Sequence, residues 1–91
     1  MTQTNITLYV KDGCPQCRME KKLLDQAQID YTVRNVSQDS SALKWLQLLN
    51  IQQVPVLMDV DANSKPIVGF QEQALKNFIT KYHRQQQQQQ Q

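Results

Sequence analysis

The chain has 91 residues, with ten Lys and Arg against eight Asp and Glu for a net charge of +2. That length is enough for one small domain and too short for a second core. The near-balance of charge excludes the basic footprint of a nucleic-acid binder or of a protein drawn to anionic membrane.

Met1-Thr2-Gln3-Thr4-Asn5 has neither the basic nor the apolar part of a leader, and no apolar run approaches the ~20 residues that span a bilayer. The expectation is a monomer of the cytoplasm whose partners are proteins or small molecules, not nucleic acid or membrane. Ile6, Leu8 and Val10 alternate with Asn5, Thr7 and Tyr9, the period of a strand over about residues 4–10, halted by Lys11-Asp12-Gly13. Pro15 suits a first helical position. Met19, Leu23, Leu24 and Ala27 then recur at helical spacing among Arg18, Glu20, Lys21, Lys22 and Asp25, predicting an amphipathic helix to about Gln28. Tyr31, Thr32, Val33 and Val36 are β-prone and complete a βαβ crossover, so the second strand is expected parallel to the first.

Ser40 and Ser41 are the expected caps of a second helix with an apolar stripe of Ala42, Leu43, Trp45, Leu46 and Leu49, ending near Asn50. Pro55-Val56-Leu57-Met58 reads as a buried strand begun by a proline. Asp61-Ala62-Asn63-Ser64 turns it into Pro66-Ile67-Val68 as a hairpin. Gly69 permits a sharp exit, and Ala74, Leu75, Phe78, Ile79 and Tyr82 mark a third helix. Trp45, Phe70, Phe78 and Tyr82 are read as core, and Tyr9 is open between core and site. Gln85 to Gln91 has nothing to bury and is expected as a disordered tail or a weak extension of the last helix, so the domain is taken as 1–84 and the tail as 85–91. The order is βαβαββα.

The two cysteines, Cys14 and Cys17, are the only ones and lie three positions apart. They cannot staple distant loops, and in a reducing compartment a close pair implies redox or metal chemistry. Cys14-Pro15-Gln16-Cys17 puts one sulfur at a helix start and the other a turn later, near enough for a reversible disulfide. Unpaired backbone N–H groups and the helix dipole favour a thiolate at Cys14, lowering its pKa from ~8.5 toward ~7. Lys11 and Arg18 add positive potential. Cys14 is thus the expected nucleophile and Cys17 the thiol that resolves the mixed disulfide. Tetrahedral zinc would need two further ligands, and His83 is the single histidine; the pattern favours redox exchange, with no metal.

A first strand, Lys11-x-x-Cys14-Pro15-x-Cys17, a helix, Val54-Pro55 before a strand and Gly69 before the last helix together resemble the glutaredoxin branch of the thioredoxin superfamily over residues 5–82. Cys14 to Cys17 with Gln16, Gln53-Val54-Pro55-Val56 and Gly69-Phe70 are most similar to NrdH-redoxins. The resemblance implies a thioredoxin fold, with a four-stranded mixed sheet in the order 2-1-3-4 and three helices. It implies a cis Val54-Pro55 bond facing the cysteines, with the Val54 backbone pairing to the substrate chain, and it adds Lys11, Gln16, Gly69 and Phe70 to the substrate-binding set. By themselves, Pro55 reads as a strand-start proline and Lys11 as a solvated loop cation.

The implied activity is thiol–disulfide exchange with no bound cofactor. Electrons would come from NADPH through thioredoxin reductase, and the client would be ribonucleotide reductase or another dithiol protein. The alternatives are a glutathione-coupled glutaredoxin and a non-catalytic metal-binding or regulatory CxxC module. Glutathione-binding glutaredoxins usually carry Thr-Val-Pro, then Gly-Gly and an acidic residue; this chain has Gln53-Val54-Pro55 and Gly69-Phe70-Gln71-Glu72. NrdH-redoxins usually have Trp-Ser-Gly-Phe-Arg-Pro where this chain has Ile67-Val68-Gly69-Phe70-Gln71-Glu72. Thioredoxins hold a buried carboxylate in the strand before CxxC. Ile6, Leu8 and Val10 offer none there, so proton transfer is expected to fall to water or the partner.

Overall fold

The computed structural model describes residues 6–59 and 66–89. Strand β1 (Ile6–Val10) is an interior strand. It pairs in parallel with β2 (Thr32–Asn35) and antiparallel with β3 (Val56–Asp59), which pairs antiparallel with β4 (Ile67–Val68). The resulting order, β2-β1-β3-β4, and the helices α1 (Pro15–Gln26), α2 (Ser40–Leu48) and α3 (Glu72–Gln89) form the thioredoxin-like arrangement expected from the sequence. The Asp61–Ser64 turn lies outside the described residues, as does the expected start of the first strand before Ile6.

Both faces of the sheet are covered, because alternate residues of β1 enter different clusters. Ile6, Leu8 and Val10 join Cys14, Cys17, Leu24, Ile29, Leu57 and Leu75 on one side, with Phe70, Phe78, Ile79 and Tyr82 packed against them. Tyr9 joins Ala42, Leu46 and Val56 on the other. Tyr9 is therefore core, with the Arg34 guanidinium 6.0 Å from its ring centroid.

The helices depart from the sequence reading in instructive ways. In α1 the buried residues are Cys17, Glu20 and Leu24, whereas Met19 is exposed; the inward stripe runs through a carboxylate. Gln28, expected inside this helix, follows its end at φ 59°. Helix α2 is capped by Asp39, not by Ser40 or Ser41, because the Asp39 carboxylate accepts from the Ser41 and Ala42 N–H groups at 3.0 and 3.2 Å. Its apolar stripe is wider than the surface it buries. Ala42 and Leu46 are inside, while Leu43, Leu49 and Trp45, the last at 44 % exposure, face outward; Trp45 is not the core residue expected.

Helix α3 continues to Gln89, which corresponds to the second of the two readings of the tail, an extension of the last helix. Propagating an existing helix needs no new nucleus, and glutamine is a fair helix former. Residues 90–91 lie outside the described set.

Candidate active site

Cys14 ends the loop after β1 as the N-cap of α1, in extended backbone at φ −108°, and Pro15 fills the first helical turn without wasting a donor. Its Sγ accepts the Cys17 N–H at 3.1 Å and is joined to Cys17 Sγ in a disulfide, with the two Cα atoms 5.2 Å apart. Both cysteines are nearly buried, Cys14 at 7 % exposure and Cys17 at 3 %. Cys14, at the helix start, is the slightly more exposed of the two residues. On reduction, the same N–H and the helix dipole favour negative charge on Cys14 Sγ over Cys17 Sγ.

The loop that presents Cys14 is tied to the one after β2. The Asn35 side-chain amide donates to Asp12 Oδ1 at 2.9 Å, Asp12 N donates to Ser37 Oγ at 3.1 Å, and Ser37 N donates to Asn35 Oδ1 at 2.8 Å. Gly13, at φ 69°, supplies the left-handed step that turns the chain into Cys14. No local signal marks this clasp, since its partners sit in different loops.

The Val54–Pro55 bond is cis. Pro55 is buried and Val54 packs against the cluster holding both cysteines. Gly69, at φ 77°, donates its N–H to the Pro55 carbonyl at 2.7 Å, and a Cβ placed on it would stand 3.5 Å from Gln53 Oε1. Phe70 packs against the cysteine-containing cluster as well. Lys11, Gln53 and Val54 line an open cleft of about 450 Å³ together with Leu43 and Gln47 of α2 and Asn50 just beyond that helix. Gln16 is exposed on the first turn of α1 and is not among the residues lining that cleft.

The family model described as glutaredoxin matches residues 6–64. The chain belongs to the glutaredoxin family. The gene 56 protein of Mycobacterium phage D29 is 31% identical over 80 residues, 87% of each chain. Mycoredoxin 1 of Corynebacterium glutamicum is 38% identical over 47 residues, 52% of this chain and 57% of that protein. The glutaredoxin-like NrdH-redoxin of Escherichia coli superposes with a TM-score of 0.71 at 24% identity, covering 79% of this chain and 91% of the other. As a glutaredoxin-family member with the Cys14–Cys17 pair, the protein is a thiol–disulfide oxidoreductase.

Two carboxylates escaped the sequence reading of functional residues. Asp39 was masked by the two serines beside it. Glu20 is fully buried, and neither of its carboxylate oxygens has a hydrogen-bond partner. Its signal was its place three residues after Cys17 and four before Leu24, visible only if the cysteines are counted as part of the buried stripe. Burial pushes its carboxyl up from 4.5 to about 7. Among the described residues no group of three or more His, Cys, Asp or Glu could hold a metal ion, and no helix is long and apolar enough to cross a membrane.

Proposed function

We propose that the protein is a dithiol donor that reduces protein disulfides in the cytoplasm and is recharged by NADPH through thioredoxin reductase, with ribonucleotide reductase or a similar dithiol protein as client. The observation that carries this reading is the Cys14 Sγ at the start of α1, accepting the Cys17 N–H at 3.1 Å. The Cys14 thiolate attacks one client sulfur, and the other leaves as a thiolate. Cys17 then attacks Cys14 Sγ, the Cys14–Cys17 bond forms, and the second client sulfur departs, so two electrons pass to the client. Val54, Pro55, Gly69 and Phe70 flank this exchange, with the Val54 backbone as the docking edge for the client chain.

Thioredoxin reductase is favoured over glutathione by the start of α3. Phe70 puts a packed aromatic ring where the glutathione pattern has a second glycine, and Glu72 opens the helix with a negative charge beside Lys76 at 3.5 Å. A tripeptide with two carboxylates needs donors there. A small-thiol reading is favoured in turn by the open cleft beside Lys11 and Gln53, and by the likeness to mycoredoxin 1.

Two assays decide between these. Cys17→Ser should trap a mixed disulfide through Cys14 with a client, and Cys14→Ser should trap none; a trapped Cys17 sulfur overturns the roles. Oxidised protein supplied with NADPH and thioredoxin reductase should turn over faster than with NADPH, glutathione reductase and glutathione. Efficient turnover by glutathione alone overturns the choice of reductant.

A further inference from the structure

Among the described residues the fold buries one carboxylate without a hydrogen-bond partner, Glu20, one helical turn from the cysteine pair. Cys17, Glu20 and Leu24 form the inward stripe of α1. Residues three apart on a helix are surface neighbours, and helical side chains lean toward the preceding turn, so the Glu20 side chain extends toward Cys17. The cluster that Cys17 and Leu24 join is closed by Leu8 and Val10 of β1, Leu57 of β3 and Leu75 of α3. Of the residues in this cluster and those packed against it, Cys14, Cys17, Tyr31 and Tyr82 are ionisable, and the Tyr31 hydroxyl donates to Asp25 Oδ1 at 2.8 Å. No hydrogen-bond donor reaches the Glu20 oxygens, and no cation among the described residues pairs with them.

A buried, unpaired carboxylate costs stability, and a purely structural role would have given it a donor. We propose that the Glu20 carboxylate is the proton acceptor for the Cys17 thiol in the resolving step. The inference rests on Cys17 as the resolving thiol, as assigned above. Cys17 Sγ–H gives its proton to Glu20, and the Cys17 sulfur bonds to Cys14 Sγ. The bond from Cys14 Sγ to the client sulfur breaks, and the client leaves as a thiolate that takes its proton from solvent.

The match of acid and base strengths supports the step. An ordinary glutamate is about four units less basic than a thiolate near ~8.5, a poor acceptor for its proton. A carboxyl raised to about 7 by burial is a closer match to a thiol and a better acceptor for its proton. Its buried position also supplies a base that β1 lacks, so the proton need not wait for water to reach a thiol that is 3 % exposed.

The test follows the two kinetic phases in which reduced protein releases thionitrobenzoate from one equivalent of dithiobis(nitrobenzoate). The first phase reports attack by Cys14, and the second reports closure by Cys17 onto the mixed disulfide, with a leaving group that needs no proton. Glu20→Gln should slow the second phase about tenfold or more at pH 7 and move its pH inflection upward, without slowing the first. Equal second phases and equal pH profiles would overturn the proposal. Peptide mapping of the trapped intermediate keeps the two readings apart, since an adduct on Cys17 sinks the assignment of cysteine roles and not the kinetics of Glu20. Should Glu20→Gln not fold, the carbon-13 signal of the Glu20 carboxyl in the wild-type protein decides. It should titrate in one step in the disulfide form and in two steps shared with Cys17 in the dithiol form; identical titrations overturn the proposal.

Discussion

The starts of α1 and α2 share one backbone geometry: Cys14 lies at φ −108°, ψ 103° and Asp39 at φ −118°, ψ 100°. Each residue is extended, each is followed at once by helix, and each turns its side chain back to accept backbone N–H groups that the helix leaves unpaired. Asp39 is an anion at every physiological pH, and its carboxylate is further held by the Arg34 guanidinium at 3.0 Å. Its role ends with the cap. The Cys14 sulfur is neutral in the disulfide and gains charge when the bond opens to a thiolate, so the same donors that cap the helix then favour that charge, as the nucleophile role proposed above requires. One backbone device therefore serves stability or reactivity according to whether the cap atom changes its charge during the reaction.

The contrast continues inward. Three residues beyond each cap the helix buries its side chain, Cys17 in one case and Ala42 in the other. Six residues beyond, α1 buries the Glu20 carboxylate completely while α2 leaves the Trp45 ring 44 % exposed. The redox helix thus carries a polar group inside, and the structural helix carries an apolar group outside. Only the first arrangement costs stability and sits beside a reacting bond.

The sharpest way to break the comparison is to keep the Cys14 cap and remove its chemistry. Cys14→Ser supplies a hydroxyl, a preferred N-cap acceptor, with no capacity for disulfide exchange. Reduction of a protein disulfide should fall to background. The urea midpoint should stay close to that of reduced wild type, with a change within about 0.5 kcal/mol. Residual exchange would show that Cys17 attacks on its own; a large loss of stability would show that sulfur packing, not capping, dominates at this position.

The next largest effect concerns Glu20. Its carboxyl titrates near 4.5 when unfolded and at about 7 when folded, so the native state binds the extra proton between those values. The folded protein therefore loses stability as pH rises from 4.5 to 7, and the loss is complete above 7. Glu20→Leu removes the penalty: the oxidised protein should gain about 3 kcal/mol at pH 8 and much less at pH 4, read as urea midpoints at the two values. An equal gain at both pH values would show that packing, and not the buried charge, sets the difference.

Those two residues also mark how far the sequence could be read. The Cys14–Cys17 spacing, the proline in the first turn and the period of β1 are local signals, and from such signals the element order and the cap position of Cys14 were legible, whereas the sheet order came with the resemblance to the glutaredoxin branch. Val54 and Gly69 became legible as neighbours only through a likeness to other chains, because the Gly69 N–H to Pro55 carbonyl bond joins segments separated by a hairpin. Glu20 was hidden by its own chemistry, since a stripe counted in apolar residues passes over a carboxylate and selects Met19, which faces solvent. The α2 stripe misled in the opposite direction. Its Leu43, Trp45 and Leu49 satisfy helical periodicity, yet of the stripe only Ala42 and Leu46 are buried, in the cluster with Tyr9 and Val56, to which Val36, Ile51 and Met58 from outside the helix also contribute.

The smallest expected effect lies at the other cap. Asp39→Ala leaves the Ser41 and Ala42 N–H groups without the carboxylate that receives them at 3.0 and 3.2 Å, and it frees Arg34 from its ion pair. The site is half exposed, so water takes over much of what is lost; the thermal midpoint should fall by only a few degrees. Backbone donors at Ala42 and Ser41 and the Arg34 guanidinium hold the Asp39 carboxyl below the usual carboxylate range. A lowered folded pKa means that the contribution is present above the unfolded value near 3.8 and is lost as pH falls through the folded one. The gap between wild type and Asp39→Ala should therefore be constant at neutral pH and close in acid; the Glu20→Leu gap also closes in acid but has the opposite sign, the variant there being the more stable protein. The thiol chemistry should be untouched, because Asp39 caps α2 and does not line the Lys11–Val54 cleft. An Asp39→Ala protein whose rate of disulfide reduction changed with its midpoint would join the two helix starts into one functional unit and end the division of labour drawn between them.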